Sequence, residues 1–164
     1  MANNNYFKFD EKKEEMKWSD YIAKKLLNTL IIEDNNINYY TNILTGAEII
    51  GLDANFWAHT QNSIIEPKEV DKLKKIFEEN EYYNESVVIS GKSYKITNCE
   101  DNDFMELKDG DCFASIAKTE KGLIIGLYNI KSKLKKNGEE LYQNREISNF
   151  VVKNLKENLK VLGY

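Results

Sequence analysis

Cysteine, histidine, arginine and proline are all scarce in this chain of 164 residues, and it contains no long apolar run. Its two cysteines, Cys99 and Cys112, are too few for a disulfide scaffold and lack the spacing of metal ligands, so we expect a reducing, cytoplasmic location. The one histidine, His59, excludes a multi-histidine metal site. No segment approaches the ~20 apolar residues that a membrane span requires. We therefore expect no cofactor, no metal and no membrane span.

The charges are nearly balanced, which removes the usual signal for nucleic-acid binding. There are 23 basic and 27 acidic residues, a net charge of −4, and Arg145 is the only arginine. Because arginine is the usual residue for bidentate recognition of phosphate or carboxylate, the almost all-lysine basic set is interpreted as compositional bias. The string SGKS at 90–93 lies between two predicted strands, whereas a phosphate-binding loop joins a strand to a helix. No pattern indicates catalysis, so we expect a protein that is not an enzyme and does not bind nucleic acid.

Hydrophobic periodicity divides the chain into an extension and one domain. Residues 1–15 are polar and charged, without the apolar stretch of a signal peptide, and are predicted to form a flexible extension; residues 16–164 are predicted to form a single domain. Residues 31–45 are interpreted as a loop with at most a short strand, and residues 131–146 as a polar connection. Helices are predicted over 17–30, from Pro67 to about 80 and over 147–164, and strands over 47–53, 55–60, 86–90, 93–99, 111–118 and 122–130. Strands joined by short hairpins pair antiparallel, so this order predicts an α+β domain with helices on the faces of the sheet.

Five segments, taken in chain order, resemble one known family. The helix WSDYIAKKL has Trp18 and Tyr21 at W-x-x-Y spacing, and the hairpin AEIIGLDANFWAHT contains Trp57. The hairpin SVVISGKSYKI has Ser90 in place of the first glycine of a strand–Gly-Gly–strand pattern. The strand pair IAKTEKGLIIGLY and the helix NFVVKNLKENLKVLGY complete the set, through Lys118, Thr119, Leu123, Gly126, Tyr128, Asn149, Val151, Val152, Leu155, Leu159, Gly163 and Tyr164. Together these segments resemble the profilin family over residues 18–164.

The resemblance implies both a fold and a function. The implied fold is a central antiparallel sheet with the N- and C-terminal helices packed together on one face and a smaller helix on the other. The implied function is binding of monomeric actin, with regulation of its polymerisation and nucleotide exchange, and a second groove for proline-rich ligands. A monomer is expected. The loop over 31–45 and the connection over 131–146 are longer than is usual in the family.

Aromatic residues near both chain ends are implied to form the groove for proline-rich ligands. A polyproline II helix is already ordered before it binds and offers only acceptor carbonyls, which indole N–H and phenol O–H groups match. Without the resemblance, Trp18 and Tyr21 would be interpreted as core packing. Asn158 stands where many animal members have histidine, and it keeps a donor but stacks less well. The groove residues implied by position are Trp18, Tyr21, Trp57, Asn158, Leu159 and Tyr164.

Two further surfaces follow from the resemblance. The later strands and the start of the last helix are implied to face actin, through Lys95, Ile96, Asn98, Lys118, Asn149 and Lys153. The alternative for lysines on a strand is a solvated outer face. A basic run is implied to bind phosphoinositide lipids weakly, through Lys131, Lys133, Lys135 and Lys136. The alternative is a solvated loop, and the net charge of −4 opposes strong membrane association.

Two other functions stay open at this point. One is a profilin fold that binds actin but has lost proline recognition, its aromatic residues having become packing. The other is a sensor domain of the PAS or GAF type with an internal small-ligand pocket, which gives no reason for the set of Trp18, Tyr21 and Tyr164. For the extension, we predict that Phe7, Phe9 and the acidic run at 10–15 fold over the neighbouring aromatic groove and compete with its ligand.

Overall fold

A seven-stranded antiparallel sheet forms the centre of the structure. The computed structural model describes residues 16–164, so the extension predicted over residues 1–15 lies outside the described residues. The strands are β3 (Gly46–Gly51), β4 (Phe56–His59), β5 (Ser86–Ile89), β6 (Lys92–Glu100), β7 (Phe104–Asp109), β8 (Cys112–Lys118) and β9 (Gly122–Asn129). They lie side by side in the order β4-β3-β9-β8-β7-β6-β5.

Both faces of this sheet are covered, which is why its central strands are apolar along their whole length. In β9, Leu123 and Ile125 point into one core, and Ile124 and Tyr128 point into the other, as strand alternation requires. The first core contains α2 (Pro67–Glu79), which begins with the predicted proline at its first helical position. The second contains the helices at both ends of the domain. The predicted α+β class and the distribution of helices on the two faces are therefore confirmed.

The two terminal helices differ in regularity. The last helix, α3 (Arg145–Val161), starts at Asn144, whose side-chain oxygen accepts a hydrogen bond from the backbone N–H of Ile147 (3.1 Å). The first consists of one α-helical turn, α1 (Trp18–Tyr21), followed by a π-helical segment, π1 (Ile22–Leu27). The helix predicted over 17–30 thus ends three residues earlier than expected, at Leu27. The side chain of Asn28 donates to the carbonyl of Ala23 (3.1 Å) and so satisfies a backbone group at the end of π1.

The segment interpreted as a loop with at most a short strand and the segment interpreted as a polar connection each contribute two strands, so that part of the prediction was wrong. Residues 31–45 contain most of β1 (Thr29–Glu33) and β2 (Asn36–Thr41), and residues 131–146 contain β10 (Lys133–Lys136) and β11 (Glu139–Tyr142). These strands form a second antiparallel sheet in the order β1-β2-β10-β11.

Each hairpin of the second sheet has a two-residue turn with positive φ at both residues. The turns are Asp34–Asn35 (φ 49° and 67°) and Asn137–Gly138 (φ 52° and 85°), and these residue types suit turns that match the twist of a hairpin. Asn137 also joins the two hairpins, because its side chain accepts from Tyr39 N (2.8 Å) and donates to Asn38 Oδ1 (2.8 Å). An isolated two-stranded hairpin is only marginally stable in water, so each hairpin is stabilised by pairing with the other, almost a hundred residues away in the chain.

Strand β7 was also missed by the sequence prediction. Its sequence FMELKD contains Glu106, an acidic residue in the middle of an apolar run, which obscures the strand pattern. In the structure Phe104, Met105, Glu106 and Leu107 are all buried between β6 and β8. The carboxylate of Glu106 is tolerated there because it accepts hydrogen bonds from neighbouring side chains.

Candidate functional site

Four aromatic rings from three distant parts of the chain meet on one surface, and we call them the aromatic cluster: Trp18, Tyr21, Trp57 and Tyr164. The centroid of the Trp18 ring lies 4.5 Å from that of Trp57 and 5.4 Å from that of Tyr21. Tyr164 packs edge-on against Trp18 at 5.0 Å and lies 5.8 Å from Trp57. These separations are typical of favourable aromatic pairs.

The backbone explains why the rings meet. Trp18 begins α1, and Trp57 lies on β4, which is paired with β3. The backbone N–H of Tyr164 donates to the carbonyl of Leu159 (3.0 Å), which turns the chain end back after α3. The Trp57 indole lies over Gly122, where an added Cβ would be 3.0 Å from a ring carbon and 2.8 Å from the Ile50 carbonyl oxygen. Only glycine allows the indole to lie this close to the sheet.

The cluster has a buried floor and a partly exposed upper surface. Tyr21 and Leu159 are 5% and 1% exposed, whereas Trp18, Trp57 and Tyr164 are half-buried. The structure therefore brings five of the six predicted groove residues together. The sixth, Asn158, is half-buried on α3, and its amide nitrogen is enclosed without a hydrogen-bond partner among the described residues.

A second polar site lies on the sheet beside α3, and we call it the Glu106 network: Glu106, Asn98, Ser115, Arg145 and Asn149. Arg145 donates to both carboxylate oxygens of Glu106, with Nη2 at 2.9 Å from Oε2. Asn149 and Asn98 donate to the same carboxylate at 2.9 and 3.1 Å, and Ser115 donates to Asn149 Oδ1 at 2.5 Å. The Arg145 hydrogen bonds, with those from the two asparagines, lower the pKa of Glu106 to about 2, which keeps it ionised.

Four of the six residues predicted to face actin lie around this network, and two do not. A bulge in β6 between Ile96 and Asn98 places Asn98 opposite Glu106 on β7. Ile96 is 4% exposed and belongs to the core beneath α2, on the other face of the sheet. Lys118 shares a face with Ile116 by strand alternation and so also lies on the α2 side. The four that lie beside the network are Lys95, Asn98, Asn149 and Lys153.

The lysines on this face differ in whether an acidic side chain neutralises them. Lys153 forms an ion pair with Glu100 (2.8 Å) and its ammonium lies 4.4 Å from the centroid of the Phe104 ring. Lys95 on β6 stands directly opposite Lys108 on β7, and within residues 16–164 neither forms an ion pair. Like charges in directly opposite positions destabilise a sheet, so the fold itself gains nothing from this pair.

Sequence reasoning missed Glu106, Arg145 and Lys108. Arg145 could have been found, because it is the only arginine in the sequence, but the scarcity of arginine was attributed to compositional bias. In the structure that arginine forms the bidentate carboxylate pair for which its guanidinium is suited. The only arginine of the sequence thus stands where a planar guanidinium can donate two hydrogen bonds to one carboxylate.

The lysines predicted to bind lipid are largely paired within the protein. Lys131 lies 3.1 Å from Asp111 and Lys136 lies 3.4 Å from Glu33. The ammonium of Lys133 lies 4.3 Å from the centroid of the Tyr142 ring. The run therefore does not present four free positive charges on one surface.

The described part of the chain lacks two further features. Between residues 16 and 164, no group of three or more histidine, cysteine, aspartate or glutamate residues has the arrangement needed to hold a metal ion. In the same range, no helix combines the length and the apolar character that a membrane crossing requires.

Comparison with known proteins gives a consistent result. A sequence model of the family described as Profilin matches residues 16–164. The profilin of Bombyx mori is 29% identical over 150 residues, which cover 91% of this chain and 100% of that protein. Among solved structures, profilin II of Acanthamoeba castellanii has a TM-score of 0.61 at 25% identity, covering 74% of this chain and 89% of that one. Profilin IB of the same organism has a TM-score of 0.62 at 24% identity over the same shares, which supports the fold.

Proposed function

The chain belongs to the profilin family, and we propose that it binds monomeric actin on the face around the Glu106 network and proline-rich segments on the aromatic cluster. Profilins are non-enzymatic actin-binding proteins, and we propose the same for this chain, with a role in actin polymerisation and nucleotide exchange in the cytoplasm. The observation that carries the proposal is the convergence of Trp18, Trp57 and Tyr164 on one accessible surface.

The aromatic cluster has the chemistry that a polyproline II helix requires. The half-buried rings of Trp18, Trp57 and Tyr164 provide flat faces for pyrrolidine rings, and their N–H and O–H groups are donors for proline carbonyls. The ligand is ordered before binding, so little conformational entropy is lost. Buried Tyr21 and Leu159 support this surface from below rather than contacting the ligand broadly.

Replacing Trp18 by alanine is expected to weaken binding of a proline decamer about 30-fold, because a central aromatic contact typically contributes about 2 kcal/mol to an interface. Titration of the peptide, followed by tryptophan fluorescence with Trp57 as the remaining reporter, measures this. Tyr83→Ala is the matched control, since Tyr83 is 89% exposed and lies outside the cluster. An unchanged affinity in Trp18→Ala would contradict the proposed groove.

The face around the Glu106 network fits a partner with acidic groups. The opposed Lys95 and Lys108 place two positive charges next to each other at a cost to the sheet, which a negatively charged partner would remove. Arg145 and Asn149 are held in position by Glu106, so their exposed surfaces are ordered before a partner binds. An actin monomer is the partner that family membership favours for this face.

The double substitution Lys95→Glu and Lys108→Glu is expected to lower actin affinity about tenfold, mainly through slower association. The measurement is the rate of release of a fluorescent nucleotide from monomeric actin at increasing concentrations of this protein. Lys75→Glu, an exposed lysine on α2, is the control on the opposite face of the sheet. If both variants accelerate release as well as the unsubstituted protein does, actin does not bind on this face.

The sequence left two other functions open, and family membership argues against one of them. Family membership argues against a PAS- or GAF-type sensor domain. A profilin that binds actin but not proline remains the second candidate, and the absence of any fluorescence change with proline decamer, together with active nucleotide release, would favour it. The pairing of Lys131 and Lys136 with acidic side chains argues against lipid binding by the lysine run.

A further inference from the structure

An apolar groove lies at the point where the described chain begins. It has a volume of about 480 Å³ and lies between π1 and the β1–β2 hairpin. Its apolar wall consists of Met16, Ala23, Leu30 and Tyr39, and the charged residues that line it within the described part of the chain are Lys24 and the buried Lys25. We call it the Met16 groove.

Large apolar side chains in the wall of this groove are exposed to solvent. Leu30 and Tyr39 are cross-strand partners and are 38% and 50% exposed, and Ile37 on the same hairpin is 65% exposed. Large apolar side chains grouped on one surface are typical of a contact site rather than of ordinary solvent-facing positions.

The sequence before Met16 has the composition to fill this groove. It contains three aromatic residues, Tyr6, Phe7 and Phe9, and then the run DEKKEE, which has four acidic and two basic residues. Because Met16 itself lines the groove, the described part of the chain begins at its edge. An extended segment from Phe9 to Met16 reaches about 23 Å, enough to cross a two-stranded hairpin.

We propose that residues 1–15 dock in the Met16 groove, with Phe7 or Phe9 against Leu30 and Tyr39 and the acidic run beside Lys24. The charges agree with this arrangement, since the run carries a net charge of −2 and the charged residues of the groove are lysines. The segment thereby covers the outer side of the second sheet, and not the aromatic cluster. This differs from the sequence-based expectation that the extension covers the groove at Trp18 and Tyr21.

The test uses the full chain with p-benzoylphenylalanine in place of Phe9. After irradiation, digestion at acidic residues separates the hairpin from Trp57, since Glu33, Glu48 and Asp53 lie between or beside them. We expect the main cross-link within one chain and on residues 29–41. Adding Tyr39→Ser is expected to reduce this product about fivefold, because an aromatic contact of about 1 kcal/mol is lost. Tyr83→Ser is the matched control and leaves it unchanged.

Three results would overturn the proposal. Cross-links to Trp57 or Tyr164 would mean that the segment covers the aromatic cluster. A cross-linked dimer would mean that a second copy occupies the groove. The absence of any cross-link to residues 16–41, with the photoreactive residue verified by mass, would mean that the segment does not dock there.

Discussion

Replacing Glu48 by glutamine is expected to raise the free energy of unfolding by about 3 kcal/mol at pH 7. Glu48 lies in β3 with no exposed surface, and within residues 16–164 no cation forms an ion pair with it. From the described residues its carboxylate accepts two hydrogen bonds, both long, from Ser63 Oγ at 3.5 Å and from Ile65 N at 3.4 Å. Burial raises the pKa of Glu48 to about 8, because neither contact compensates for the loss of water around the charge.

The sign of this effect follows from the proton balance. In the unfolded chain Glu48 loses its proton near pH 4.5, whereas in the folded protein it keeps it until about pH 8. The folded state therefore holds the extra proton between these values, and stability falls as the pH rises from about 4.5 to 8. At pH 7 this loss of stability amounts to roughly 3 kcal/mol, because each pH unit above 4.5 stabilises the ionised, unfolded form by about 1.4 kcal/mol. Above pH 8 the loss is complete and no longer changes.

Urea unfolding at pH 5, 7 and 8.5 measures this prediction. Glutamine has nearly the same shape and is never ionised, so it can still accept from Ile65 N while it removes the pH-dependent loss. Its cross-strand neighbour His59 is exposed, with Nδ1 2.7 Å from the Thr60 carbonyl oxygen, and so does not compensate for the charge. Glu78→Gln on the exposed surface of α2 is the control. Parallel pH profiles for the unsubstituted protein and Glu48→Gln would show that Glu48 is not the cause.

Replacing Glu106 by alanine is expected to lower the free energy of unfolding by about 3 kcal/mol at pH 7. The carboxylate accepts from Arg145, Asn98 and Asn149, so its removal leaves several donors without a partner. Arg145 is 68% exposed and regains water, which limits the loss from the ion pair itself. Most of the cost arises from the half-buried asparagine amides and from the space left beneath α3.

This second carboxylate has the opposite pH dependence. The pKa of Glu106 falls from 4.5 to about 2 in the folded state, so its contribution is complete above pH 4.5 and is lost as the pH falls towards 2. Urea unfolding between pH 2.5 and 5 is therefore expected to show a steep loss in the unsubstituted protein and a weaker one in Glu106→Ala. Asp111→Ala, which removes an exposed ion pair with Lys131, is the control and is expected to change stability by less than about 1 kcal/mol. An equally steep acid limb in Glu106→Ala would contradict the prediction.

Local patterns were sufficient for most of the fold. Amphipathic spacing located α2 and α3, Pro67 located the start of α2, and apolar runs located β3, β8 and β9. The second sheet could have been found from Asn137–Gly138, a dipeptide that suits a tight hairpin, but the lysines and glutamates around it resemble a solvated connection. The early end of the first helix has no comparable signal, since π1 has the composition of an ordinary helix.

By itself, the sequence determined the family, the α+β class and the set of aromatic residues, because these depend on residue type and spacing along the chain. Only the tertiary structure decided which face each side chain occupies. A one-residue bulge in β6 sets Asn98 beside Glu106, while Ile96 turns into the core beneath α2. The same holds for Arg145, which looked like a compositional accident until β7 and α3 brought it against a buried carboxylate. Arg145 and Glu106 are 39 positions apart, and no local pattern records their pairing.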